Sequence, residues 1–117
     1  MNTIAQDLET LDKQIEESKL KIARKDALLR LEQNPDFKEL IMQGFMEKHA
    51  IRQVMLKAHP AMQTEANQKL MDQQIIAIGG FKQFLVNVYS EGLNAEVAMQ
   101  ADENTREELL REELNNG

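Results

Sequence analysis

The chain has 117 residues, no cysteine, no tryptophan and a formal net charge of −6. This length limits it to one domain, and the lack of cysteine excludes disulfides, thiolate metal ligands and thiol nucleophiles. Two prolines, a charged fraction of 29% and no strand-length alternation of apolar and polar residues together favour an all-α fold.

The first predicted element is a long N-terminal coiled-coil-like helix in residues 1–33. Thr3 and Gln6 have the spacing of a capping box at its start. Apolar residues then recur at alternating intervals of four and three, the heptad pattern through which coiled coils associate. Acids fill the first half of this helix and bases the second, which favours an antiparallel or staggered partner. The predicted self-association residues are Ile4, Leu8, Leu11, Ile15 and Ile22.

A helical hairpin is predicted for residues 34–92. Asn34 is a good N-cap and Pro35 suits the first helical position, so the first helix should begin there. It should end near Lys57, because Pro60 disfavours helical geometry in the residue that precedes it.

Apolar residues line more than one side of this first hairpin helix. One side should carry Phe37, Leu40, Ile41, Gly44, Ile51, Val54 and Met55. Because Gly44 lies on that side, we expect a neighbouring helix to cross closely there. A helix that is apolar on several sides is central to a bundle or buried at an interface. The residues predicted to hold the hairpin or a partner interface are Phe37, Ile41, Met42, Phe45, Met46, Phe81 and Phe84.

The second hairpin helix should begin near residue 63 or 64 and continue, straight or kinked, through Gly79-Gly80. Gly92 is expected to end it. Residues 93–117 then form a short acidic C-terminal helix or tail, which is too short to be helical unless it docks. Residues 91–117 contain eight acids and two bases and so carry the whole net charge of −6, which argues against nucleic-acid binding.

No catalytic, metal-binding or cofactor-binding residue is predicted. His49 and His59 do not share a helix face as the i, i+4 pair of a zinc helix does. The basic run in residues 19–25 suits salt bridges between helices better than phosphate contacts, since the same helix is acidic one turn earlier and no aromatic residue interleaves the run. We expect neither a membrane span nor a secretory signal.

Residues 31–41 (LEQNPDFKELI), followed by Gly44-Phe45 and by residues 71–75 (MDQQI), resemble small helical proteins of tailed bacteriophages. Those proteins are encoded among the virion structural genes. The similarity covers about residues 1–90 and implies a part in head or virion assembly, with no catalytic residue to transfer.

The leading functional prediction is therefore a non-enzymatic structural or scaffold-like subunit in virion assembly. Its partners would be further copies of itself, as a homo-oligomer, and another protein of the assembly, in the cytoplasm of the host cell or in the virion. One alternative is a small regulatory binder that occludes a host protein, with the acidic tail mimicking nucleic acid. A second alternative is a DNA-packaging accessory that uses the basic run.

Overall fold

The computed structural model describes residues 3–116, and within that range every regular element is helical. The predicted all-α fold is thereby confirmed, with a long N-terminal helix, a central helical segment and a long C-terminal helix. The elements in chain order are α1 (Ile4–Gln33), α2 (Pro35–Phe37), a π-helix (Lys38–His49), α3 (Ala50–Ala58), a 3₁₀ turn (Pro60–Met62) and α4 (Glu65–Asn116).

The first two helix starts are capped by the side chains that the sequence indicates. The Thr3 backbone N–H donates to Gln6 Oε1 at 2.9 Å, and the Gln6 N–H donates to Thr3 Oγ1 at 3.2 Å. Asn34 Oδ1 accepts from the N–H groups of Asp36 at 2.9 Å and Phe37 at 3.1 Å. These bonds satisfy N–H groups that have no partner within a helix, so the predicted caps are confirmed.

Two glutamine side chains hold the connection between α3 and α4. Gln63 Nε2 donates to the carbonyl oxygens of Lys57 and His59, both at 2.8 Å. Gln68 Nε2 donates to the same Lys57 carbonyl at 3.0 Å and to that of Met62 at 2.9 Å. Carbonyls at a helix C-terminus lack partners within the helix, and these amides satisfy them from the next element of the chain.

The central segment differs from a uniform α-helix between Lys38 and His49, where the backbone is a π-helix. Its i→i+5 hydrogen bonds turn the chain through a smaller angle per residue than α-helical bonds do. Side chains beyond it are therefore rotated from the positions that a period of 3.6 residues assigns to them. Ile51, Val54 and Met55, expected on the same side as Phe37 and Ile41, are exposed, whereas Gln53 is buried. The expectation of one continuous apolar side was wrong for this reason.

The glycines in the helices behave differently from one another. A Cβ on Gly44 would meet only the Glu39 carbonyl oxygen of the same helix, at 3.0 Å, so the expected crossing of a neighbouring helix is wrong. α4 continues through Gly79-Gly80, as predicted, with no neighbouring atom within 4 Å of either added Cβ. Gly92 does not end the helix: α4 runs unbroken to Asn116 over 52 residues. The predicted separate C-terminal tail is thus the last part of α4.

The described chain divides into two compact units. The terminal unit consists of residues 3–27 together with residues 88–116, and the central unit is Leu28–Asn87. This division differs from the predicted boundaries after residues 33 and 92, because the C-terminal part of α4 packs against α1.

In the terminal unit, α1 and α4 run antiparallel. Arg106 Nε donates to Asp12 Oδ1 at 2.7 Å, and the Lys25 ammonium pairs with Glu96. A later residue of α1 therefore pairs with an earlier residue of α4. The Lys25 side chain lies against Gly92: a Cβ there would overlap the Lys25 Cβ and lie 2.8 Å from its Cγ. The buried residues of this unit are Ile15, Ser18, Lys25, Val88, Gly92 and Ala95.

In the central unit, α3 and the preceding π-helix run antiparallel to the first part of α4. The Lys57 ammonium at the end of α3 pairs with Asp72. The Phe45 and Phe81 rings pack in a T-shaped arrangement, with 5.9 Å between centroids and 80° between planes. The side chains buried in this unit are Leu28, Gln53, Met71 and Ile78.

Candidate protein interaction surfaces

One side of α3 is apolar and exposed, and we call Ile51, Val54 and Met55 the α3 face. These side chains are 57%, 55% and 68% exposed, respectively. Their i, i+3, i+4 spacing places them together on the helix surface. Gln53, on the opposite side, is 9% exposed. The ordinary arrangement of a surface helix is therefore inverted, with its apolar side outward.

The central unit leaves further large apolar side chains uncovered. They are Leu29, Leu31, Leu40, Leu70, Ile76, Phe81, Phe84 and Val86. Its buried apolar residues are fewer, namely Leu28, Met71 and Ile78. Single exposed apolar residues are normal in proteins, whereas contiguous exposed apolar patches often mark interaction sites. The α3 face is the candidate that these exposures give.

The residues predicted to hold the hairpin or a partner interface differ in their exposure and contacts. Phe45 and Phe81 contact each other across the hairpin. Phe84 is 55% exposed. The half-buried members are Phe37, Ile41, Met42, Phe45 and Met46. The sequence pattern places the α3 face on the same side of the helix as Phe37 and Ile41, which are half-buried. Residues 50–58 do show a one-sided apolar pattern on their own, but the sequence carries no signal for the rotation that the π-helix introduces.

The predicted self-association residues lie where α1 packs in the terminal unit. Ile15 is buried, and Ile4, Leu8, Leu11 and Ile22 are half-buried. The other described segment of this unit is residues 88–116 of the same chain. The heptad positions are thus partly covered within the chain, and self-association through them stays a prediction.

The antiparallel arrangement also brings two acidic segments together, as the Asp12–Arg106 ion pair shows. Residues 3–17 and 102–116 contain eleven acids and three bases, a net charge of −8. The acids are Asp7, Glu9, Asp12, Glu16, Glu17, Asp102, Glu103, Glu107, Glu108, Glu112 and Glu113. The sequence showed both acidic segments but not that they lie beside each other. Like charges on neighbouring helices oppose their pairing.

We therefore expect added salt to stabilise the chain. Raising the ionic strength from about 0.01 M to about 0.15 M shortens the Debye length from about 30 Å to about 8 Å, which screens the repulsion at the acidic end. The melting temperature, followed by circular dichroism, should rise. The double variant Glu112→Gln/Glu113→Gln should show a smaller rise. A melting temperature that falls with salt would contradict a net repulsion at this end.

The basic run in residues 19–25 is partly engaged within the chain. Lys19 Nζ lies 3.1 Å from Glu16 Oε1. Lys25 is 6% exposed and pairs with Glu96. The Lys25–Glu96 pair joins two helices, as predicted for this run, whereas the Lys19–Glu16 pair lies within α1.

The two histidines take part in local packing and capping. His49 stacks on Phe45 with 5.9 Å between ring centroids and 16° between planes. His59 Nδ1 accepts from the Ala61 backbone N–H at 3.1 Å. Among residues 3–116, no three His, Asp or Glu side chains are grouped so that they could hold a metal ion.

No helix in the described part of the chain has the length and apolar character needed to cross a membrane. Comparisons with protein-family models, with curated proteins and with solved structures find no match to this chain. The resemblance to phage proteins therefore stays a prediction from residues 31–75.

Proposed function

We propose that this chain is a non-enzymatic structural subunit of a larger protein assembly, most concretely of a phage virion or its head precursor. It would act through protein–protein contacts in the host cytoplasm or in the virion. The observation that supports this proposal is the α3 face, whose three apolar side chains are each more than half exposed.

The strength of a contact through the α3 face follows from its exposure. The exposed fractions of Ile51, Val54 and Met55 together equal nearly two fully exposed side chains. Burying each such side chain contributes about 1.5–3 kcal/mol, so the face offers roughly 3–5 kcal/mol. An exposed ion pair contributes about 0–1 kcal/mol, and apolar burial therefore dominates.

This gain does not by itself exceed the loss of translational and rotational freedom on association, which costs about 4–15 kcal/mol. A contact of this size becomes stable when it is repeated or joined by others, because linked sites bind with a high effective concentration. Repeated modest contacts are the mode by which a structural subunit is held in an assembly.

Sedimentation tests this proposal. A lysate of infected cells is separated on a density gradient, and the chain is detected in the fractions with an antibody. We expect it to sediment with particles or head precursors, and we expect Val54→Asp to move it toward the top of the gradient. A chain that stays at the top at every time of infection would contradict a structural role.

A second candidate function is supported by the acidic end of the terminal unit. Eleven acids ordered on two paired helices could occlude a basic, nucleic-acid-binding surface of a host protein. Such a complex would be small and would weaken steeply between about 0.05 M and 0.2 M salt. A particle-bound chain retained at the higher salt distinguishes the structural role from this one.

A further inference from the structure

We infer that the π-helix is a conformational switch, and that the central unit has a second form in which residues 35–58 are α-helical throughout and the α3 face is covered. We call the form described above the π register and the second form the α register. The part that the switch plays in assembly rests on the proposed structural function, because the switch decides whether the α3 face is available. The two registers themselves can be tested on the isolated chain.

The length and composition of the π-helix are the first observation. π-Helices occur mostly as single turns within α-helices and are frequent at functional sites, whereas this one extends over 12 residues, Lys38–His49. Eight of those residues are Lys, Glu, Gln, Leu or Met, which favour an α-helix. None of the 12 is buried. The covered positions of this stretch can therefore change without taking apart a closely packed core.

The apolar pattern of the segment fits the α register. Positions 37, 41, 44, 48, 51 and 55 follow one another at alternating intervals of four and three, which places them on one side of an α-helix that packs against another helix. They hold Phe, Ile, Gly, Lys, Ile and Met, so Lys48 is the one charged residue among them. A continuous α-helix would thus cover Ile51 and Met55 of the α3 face together with Phe37.

The π register covers a different set of positions beyond Ile41. Phe45 and His49 are half-buried and Gln53 is buried, and these positions follow one another at intervals of four. A helix with i→i+5 bonds has more residues per turn and keeps such positions on one side. Phe45 packs on Phe81 and stacks with His49. The same segment thus contains two sets of residues, each suited to the covered side in one register.

The two registers differ by roughly half a turn of α3. Gln53 is two residues from both Ile51 and Met55, which corresponds to about 200° around an α-helix. Rotating α3 by this amount would cover the α3 face, but it would move Lys57 away from Asp72, with which it pairs in the π register. Apolar burial therefore favours the α register, whereas this ion pair and the Phe45 contacts favour the π register.

The consequence for function is control over when the α3 face can bind. The α register hides the face and so protects a free subunit from association outside the assembly. A partner that binds the α3 face binds only the π register, and it shifts the population toward that register by its difference in affinity for the two. The subunit would thus expose its apolar face only when a partner is there to cover it.

The test measures how fast a thiol at position 53 reacts with a maleimide. The chain has no cysteine, so Gln53→Cys introduces a single thiol at a position that is 9% exposed. The π register protects this thiol, and the α register turns it outward, so its reaction rate follows the population of the α register. Val54→Cys, at a position that is 55% exposed, gives the rate of a thiol without that protection.

Three substitutions at exposed positions are then combined with Gln53→Cys. Lys48→Leu removes a charge from the side that the α register covers, and it should raise the thiol reaction rate by at least about threefold. Ile51→Asp places a charge on that side and should lower the rate by at least about tenfold. Glu39→Leu is the control: residue 39 is exposed in the π register, and in an α-helix it lies opposite Ile41, so the rate should not change.

The opposite directions of these effects separate the switch from local unfolding. Unfolding of α3 would expose position 53 whatever the residue at positions 48 and 51, and a charge at position 51 would not protect the thiol. A rate that Ile51→Asp leaves unchanged, or that Lys48→Leu does not raise, would overturn the switch. So would a thiol at position 53 that does not react at all. Circular dichroism should show the same helix content in every variant.

Failure of the switch and failure of the structural role give different results, because thiol reactivity is measured on the isolated chain and sedimentation on the infected lysate. A chain that sediments with particles, but whose thiol does not respond to Lys48→Leu and Ile51→Asp, would keep the structural role and lose the switch. A responding thiol in a chain that stays at the top of the gradient would keep the switch and lose the structural role.

Discussion

Gly92→Ala should lower the melting temperature of the chain, while the same substitution at Gly79 should raise it. An alanine in a helix interior is favoured over glycine by about 1 kcal/mol, and Gly79 has open space for the new methyl group. At Gly92 the methyl group would overlap the Lys25 side chain at its Cβ and approach its Cγ to 2.8 Å.

Whether Gly92→Ala raises or lowers the melting temperature depends on whether Lys25 can move away from the new methyl group. The overlapping atom is the Cβ, which is fixed to the α1 backbone, so the whole helix must shift and not merely the end of a flexible side chain. Overpacking of this kind costs about 1–3 kcal/mol, which exceeds the gain in helix propensity. Thermal denaturation followed by circular dichroism measures both variants. Equal stabilisation by Gly79→Ala and Gly92→Ala would contradict the close approach of α4 to Lys25.

Ile15→Ala should lower the free energy of unfolding by about 2–5 kcal/mol, the range for removing a buried branched side chain. Ile15 is 7% exposed in the terminal unit. Leu20→Ala, on the same helix but at a 68% exposed position, is the control and should change stability by no more than about 0.5 kcal/mol. Chemical denaturation gives both values.

The dependence of the Ile15→Ala effect on protein concentration carries further information. Because the residues that cover Ile15 belong to the same chain, the loss of stability should be the same at dilute and at high protein concentration. A loss that shrinks as concentration rises would mean that α1 packs on another copy, as the heptad pattern suggested. Those two outcomes separate an intramolecular helix pair from the coiled-coil oligomer that the heptad pattern predicts.

Helix starts were predictable because their causes are local. The Thr3–Gln6 pair and the Asn34-Pro35 step cap helices through bonds within three residues along the chain. Such bonds form in any surroundings, so a short stretch of sequence is sufficient to identify them. The same holds for the interruption before Pro60, where the ring restricts the preceding residue.

The end of α4 was not predictable from local sequence. Gly92 is a common residue beyond a helix end, yet here it lies inside α4 and makes room for a side chain 67 positions earlier in the chain. A contact between residues so far apart leaves no local pattern. The acidic stretch is helical as the last part of α4 and is held to α1 by the Arg106–Asp12 pair, which agrees with the expectation that it is helical when docked.

The candidate site was partly predictable. The sequence identified Phe45 and Phe81, which contact each other, because large aromatic residues are readily assigned to packed positions. It placed Ile51, Val54 and Met55 on the wrong side, because helical periodicity was carried through residues that are not α-helical. An error in the rotation per residue accumulates through the irregular stretch, so the side of the helix is assigned least accurately for the residues that follow it.

Because the π-helix precedes α3, the side of α3 that faces outward depends on the number of residues in the π-helix as well as on the sequence of α3. Each residue removed from an i→i+5 stretch, with the remaining turns unchanged, rotates everything downstream about the helix axis by somewhat less than the roughly 100° per residue of an α-helix. Two chains with identical α3 sequences that differ by two residues between Lys38 and His49 would thus present opposite sides of α3 to their surroundings. Insertions and deletions in this stretch are therefore a route by which descendants of one sequence could exchange partners without altering a single contact residue.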